Sequence, residues 1–161
     1  MRILAGALLL SLSLAGAAAA DTEHPQVQTP DRLIWQQGPP GLPPGAQFAV
    51  LRGNPDARGG EFVLRLKVPA GYHIAAHHHG TPENLTIISG SMLYASGPHP
   101  DRASAVTLPE GSYVYLPANG THEVWAGDQG AVVEMHSTGP FQITYTNQAD
   151  DPRKQQAASP Y

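Results

Sequence analysis

An all-β chain, folded as a double-sheet jelly roll or barrel, is the architecture that this sequence predicts. Three observations carry the prediction. Beyond residue 47 about ten short runs of β-branched, aromatic and alternating apolar residues follow one another. Turn formers separate them, among them Asn54-Pro55, Gly59-Gly60, Ser89-Gly90, Gly97-Pro98 and the stretch from Gly127 to Gly130. No stretch longer than a turn shows helical spacing. Many short strands in antiparallel succession need their edges closed, and a jelly roll or barrel closes them.

The elements follow in chain order. Residues 1–20 begin with a single basic residue, Arg2, run through a mostly apolar stretch and end on Ala18-Ala19-Ala20 before Asp21. That pattern reads as a cleaved secretory signal peptide, with an uncleaved membrane anchor as the alternative. The expected location is therefore periplasmic or secreted, with no stable membrane anchor after cleavage. Residues 21–47 are dense in Pro, Gln and Gly, and Pro39, Pro40, Pro43 and Pro44 forbid a helix or a central strand there. They read as an extended arm on the domain, in which Leu33, Ile34 and Trp35 are apolar enough to seek burial; a disordered linker is the alternative for residues 21–30. The expected strands are 48–52, 61–68, 73–77, 84–89, 91–95, 105–108, 113–116, 122–126, 131–136 and 141–145, a barrel spanning 48–146. In 61–68, Phe62, Leu64, Leu66 and Val68 alternate with Arg65 and Lys67, as a half-buried strand requires. Residues 147–161 read as a polar C-terminal tail.

Composition narrows the function. A chain of 161 residues less its first 20 suits one domain with a single core. Net charge is −4 with no basic cluster, which argues against nucleic-acid binding. There is no cysteine. Disulfides, thiolate zinc sites, cysteine nucleophiles and a lipoprotein anchor are therefore excluded, and any metal must be held by nitrogen and oxygen.

The candidate chemistry lies between Gly71 and Gly90, where His77, His79 and Glu83 are spaced by even numbers of residues. On a strand His77 and His79 share a face while His78 points away, and Glu83 returns to the same side if the chain stays extended or turns tightly. Two imidazoles and a carboxylate suit a first-row divalent cation, with a further ligand from a distant strand. His122, after Gly111 and Pro117, is the best candidate.

Gly71, His77, His79, Glu83 and Gly90 resemble the first motif of the cupin superfamily at every fixed position. Gly111, Pro117 and His122 resemble the second, with Asn119 where the family has glycine and Ala126 where it has asparagine. Asn tolerates left-handed backbone better than most residues, so the turn is expected to survive. Weaker echoes of small exported cupins lie in the Pro-Pro-Gly-Ala segment before Phe48 and in the C-terminal stretch from Gly139 to Arg153. The resemblance implies a double-stranded β-helix, a jelly-roll barrel forming a single cupin domain. It also implies a metal held by His77, His79, Glu83 and His122, with Mn or Fe the first expectation, Zn next, and Ni or Cu open. Glu83 can alternatively leave the metal and act as a catalytic base.

Other side chains carry weaker readings. His78 is expected outside, His99 in a loop, and His136 inside as a hydrogen-bonded histidine rather than a further ligand. His73 can line the mouth or lie on the surface. Tyr94, Tyr113, Tyr115, Trp125, Met92 and Met135 can line a pocket, but plain core is the commoner role. Two functions remain open: an exported protein holding a metal and a small anionic or hydroxylated ligand, or a metal-dependent enzyme, a dioxygenase, decarboxylase or isomerase, on a small organic substrate. A structural domain with the metal as a staple is a third. A homodimer through edge strands is compatible with each.

Overall fold

The structure is a computed structural model describing residues 25–157; the segment 1–20 read as a signal peptide lies outside them. Among the described residues nine strands make one curled antiparallel sheet: β1 Gln36–Gln37, β2 Gln47–Arg52, β3 Glu61–Val68, β4 His73–His78, β5 Glu83–Ser96, β6 Val106–Pro109, β7 Tyr113–Leu116, β8 His122–Thr138 and β9 Thr144–Tyr145. A helix, α1, covers Pro152–Ala157.

Two long strands turn this sheet into a barrel. The C-terminal half of β8 lies between β3 and the first half of β5, with Leu64 opposite Met135 and Leu85 opposite Met135 on the other side. Its N-terminal half lies between β4 and the second half of β5, with Ile74 opposite Val124 and Tyr94 opposite Val124. Both strands therefore belong to both walls. The turn residues that mark a break within each expected pair, at Gly90 and Gly127–Gly130, are instead the corners of continuous strands. β5 carries register shifts on either side of its corner, and bulges of this kind bend a strand without ending it. Gly90 has φ 74°, and a Cβ placed on it would lie 2.1 Å from the Gly130 carbonyl oxygen, so only glycine fits.

The core follows the alternation expected of β3, whose Phe62, Leu64, Leu66 and Val68 are buried with Ile87, Met92, Val124 and Val133. The arm lies across the barrel. Tyr145 donates its hydroxyl to the Gly41 carbonyl at 2.8 Å and Tyr72 donates to that of Pro43. The arm pairs through β1, and Trp35 takes the Lys67 ammonium 4.3 Å from its ring centroid. Ile34 corrects the expected burial: it is 78% exposed, whereas Leu33 and Trp35 are half-buried, because an extended segment turns alternate residues outward.

The C-terminal region departs most from expectation. Of the run 141–145 only Thr144–Tyr145 pairs as a strand; Phe141 and Ile143 instead pack against the core from an irregular segment. Beyond it, Asp151 caps α1, its carboxylate accepting from the Arg153 backbone N–H at 3.0 Å, and Pro152 opens the helix. Asp followed by Pro is a helix-start signal, here overriding the polar tail that composition alone suggested.

Candidate metal centre

His77, His79 and His122 converge inside the barrel, with one ring nitrogen of each within 4.8 Å of the others. His77 lies on β4, His79 just beyond its end, and His122 at the start of β8 directly opposite His77. The parity argument holds locally, since His77 and His79 are buried and His78 is only half-buried. It fails three residues earlier. Between Ile74 and His77 the strand gains one residue relative to Val124 and His122, a bulge that lets Ile74 and His77 face inward together. His73 is consequently outside, stacked on Trp125 and bonded to the Glu123 carboxylate at 2.7 Å.

Backbone carbonyls fix each tautomer. His77 Nδ1 donates to the Ala75 carbonyl at 2.8 Å, His79 Nδ1 to that of Gln142 at 2.8 Å, and His122 Nδ1 to that of Gly120 at 3.2 Å. A carbonyl only accepts, so each Nδ1 carries the proton and each Nε2 keeps a lone pair. Such backing is the usual support of a metal-bound imidazole. The carbonyl of Gly120 is presented by a tight turn in which Asn119 has φ 62° and its own N–H bonds the His79 carbonyl at 2.7 Å. Asn in the glycine position therefore keeps the left-handed turn, as expected of its side chain.

Glu83, the first residue of β5, places Oε2 3.8 Å from His79 Nε2 and 3.9 Å from His122 Nε2. The side chain is 2% exposed, and Oε2 has no hydrogen-bond partner. Burial raises its pKa to about 8. Burial likewise lowers His79 and His122 to about 4, and lowers His77 well below the usual imidazole value with help from the neighbouring His122 and His79. At neutral pH the cluster is therefore three neutral imidazoles beside a protonated carboxyl, and the close approaches are not ion pairs. An orphaned buried oxygen facing several lone pairs is the arrangement a divalent cation would resolve.

The cluster opens into a cavity of about 540 Å³. Met92, Met135 and Tyr94 line it, but Tyr113 and Tyr115 are exposed on the outer face and Trp125 is buried away from it between His73 and Arg102. His136 corrects another expectation. It is exposed on the outer face of β8 beside Glu134, because β8 alternates and Met135 takes the inward position. Arg65 pairs with Glu134 outside the barrel at 3.0 Å.

Sequence reasoning missed two supports. Phe141 stacks on His79 with ring centroids 4.3 Å apart, and Arg153 reaches the cavity edge, where its guanidinium bonds Asp151 and the Ile143 carbonyl. The Asp-Pro helix start could have revealed the second. Nothing in the spacing identifies the first.

A jelly-roll barrel with two histidines and a carboxyl from one motif and a third histidine across the barrel defines a cupin. Residues 23–142 match the ChrR cupin-like domain, and the chain belongs to that family. No protein of curated function matches it. Among solved structures it is similar to the polyketide cyclase RemF from Streptomyces resistomycificus, with TM-score 0.66 and 14% identity over 83% of this chain and 94% of that one. A putative acetylacetone dioxygenase from Methylibium petroleiphilum gives TM-score 0.59 and 22% identity over 87% and 99%. The DMSP lyase DddQ from Ruegeria pomeroyi gives 0.56 and 18% over 71% and 61%. At these identities the likeness establishes the fold alone, because this scaffold carries many activities.

Proposed function

We propose that the chain holds a divalent transition metal through His77, His79 and His122, with Glu83 as the fourth ligand, and binds a small organic molecule against it in the cavity. The carbonyl-backed Nε2 lone pairs around the orphaned Glu83 oxygen carry this reading. Mn or Fe is the first assignment and Zn the next, by the resemblance to metal-binding cupins; the nitrogen and oxygen donors suit each of them. When bound, the metal would polarise an oxygen of the ligand and leave positions open for it. The protein's own part is to hold the imidazoles in one tautomer, exclude water from the barrel floor and keep Glu83 close to the ligand. Export through residues 1–20 belongs to the same proposal and rests on their charge and apolarity alone.

Catalysis is the second reading, and Glu83 favours it. Its carboxyl lies 3.8 Å from His79 Nε2 and makes no hydrogen bond through Oε2, so off the metal it is free to take or return a proton as a base on a bound molecule. The enzymes to which the chain is similar, a cyclase, a putative dioxygenase and a lyase, act on small molecules and support this reading by analogy. Elemental analysis of the purified chain should find about one transition metal per chain. Oxygen uptake with phenolic and dicarbonyl substrates then tests catalysis. Less than a trace of metal would refute the first reading, and a metal-loaded protein inert across the panel would refute the second.

A further inference from the structure

The cavity restricts what its occupant can be. Every residue that strands β2 to β8 contribute to its lining is apolar, apart from Tyr94 and the metal-site residues. Leu64, Leu66, Ile87, Met92, Val133 and Met135 form the middle of the walls. The remaining polar lining residues, Gln36, Asn54, Asp56, Gln142 and Arg153, are all exposed and come from the arm, the loops and α1, so they mark the mouth. Polar side chains thus line the chamber only at the metal site and along its exposed edge, where Gln142 backs His79, and the rest of the lining is apolar. Its volume of about 540 Å³ falls within the ordinary range for small-molecule sites.

We infer that the ligand is a compact molecule with an apolar body and a single oxygen-donor head, the head seated against the three histidines; the position of the head rests on the metal reading above. The walls exclude the alternatives. A sugar or polyhydroxylated acid would bury several hydroxyls against leucine, valine and methionine, and each one left unpaired weakens binding roughly tenfold or more. A second anionic group deep in the chamber would meet no cation, since the lining has no lysine and its one arginine, Arg153, lies at the rim. Arg153 is already engaged, its Nε and Nη2 each 2.8 Å from an Asp151 carboxylate oxygen. The anionic or hydroxylated ligand expected from the sequence is thereby narrowed to one polar end.

The test compares two probes with one head group. Calorimetry on the cobalt-loaded chain, with the cobalt visible bands reporting the head, measures acetohydroxamate, benzohydroxamate and gluconate. Benzohydroxamate should bind at least tenfold more tightly than acetohydroxamate, because its added phenyl ring meets the apolar wall, and gluconate should bind no more tightly than acetohydroxamate. Met135→Gln, similar in size to methionine, should cut the phenyl advantage about threefold or more without changing cobalt stoichiometry. Equal affinity for the two hydroxamates, or preferred binding of gluconate, would overturn the inference. A metal-free arm separates the two readings: Nile red should bind the metal-free chain at one saturable site with blue-shifted emission, more weakly in Met135→Gln. Cobalt failing to bind while Nile red does would sink the metal proposal and leave the apolar ligand class standing; no saturable Nile red binding would overturn the class itself.

Discussion

Metal binding at neutral pH should release about one proton, and that proton should come from Glu83. With its pKa raised to about 8, Glu83 is about nine-tenths protonated at pH 7 in the metal-free chain. His79 and His122, lowered to about 4, are already neutral there, as is His77. Coordination requires the carboxylate, so loading should release about 0.9 proton at pH 7 and only about 0.1 at pH 9. Calorimetric titration in buffers of differing ionisation enthalpy reads this number directly. Glu83→Gln, similar in shape but with nothing to lose, should bind metal with little proton release at either pH. The difference between the two proteins isolates Glu83 from any other proton source. Three exposed histidines would behave differently, releasing more protons as pH falls toward 6.5. No release from the parent protein at pH 7, or equal release from Glu83→Gln, would refute the reasoning.

The same shifts predict how metal-free stability depends on pH. A raised carboxyl pKa stabilises the fold below about 4.5 and loses that contribution as pH rises through about 8, whereas the lowered imidazole values lose theirs as pH falls from about 6.5 through about 4. Denaturation of the metal-free chain should therefore show both losses, each on the order of a few kcal/mol, and Glu83→Gln should abolish the one between about pH 4.5 and 8. Replacing His79 with Ala should cost ~100-fold or more in metal affinity, while His78→Ala should stay within about twofold, both read by competition with a chromophoric chelator. Gly90→Ala should lower unfolding free energy by about 2 kcal/mol or more in urea titrations, since its Cβ would collide with the Gly130 carbonyl oxygen at a left-handed φ.

The strand pattern was legible because alternation is a local property. Phe62 to Val68 declare their inward face in their own spacing, and β3 matches its expected bounds. What local pattern cannot say is which strands continue through a turn. Ser89-Gly90 and Gly127–Gly130 look like ends, yet each lies in the middle of a strand that bends, because the information that joins the halves is held in the cross-strand pairs with β8 and β5. His136 was misplaced for a related reason: a run of Val132, Val133, Glu134, Met135 and His136 offers apolar residues at both parities, and only the pairing of Met135 with Leu64 and Leu85 decides which side is inside. The α1 start was written in Asp151-Pro152 but outweighed by the polar residues after it.

The convergence of the three histidines was legible for a different reason. The donors are side chains that alternation brings to one face, and the turn glycines and Asn119 constrain where the second segment returns. The backing of those donors was not. Each imidazole is held by a carbonyl from a different piece of chain: the bulge of β4, the irregular segment after β8, and the turn before it. A carbonyl is present at every residue, so nothing in residue type marks the one that will be used. These three bonds decide which nitrogen faces the cavity and so set the chemistry of the centre. Gln142 supplies one of them through its backbone while its neighbour Phe141 stacks on the same ring. The segment that most departed from a regular strand is thus the one that holds His79 in place, and pairing it as a strand along its whole length would commit the Gln142 carbonyl to a ladder instead.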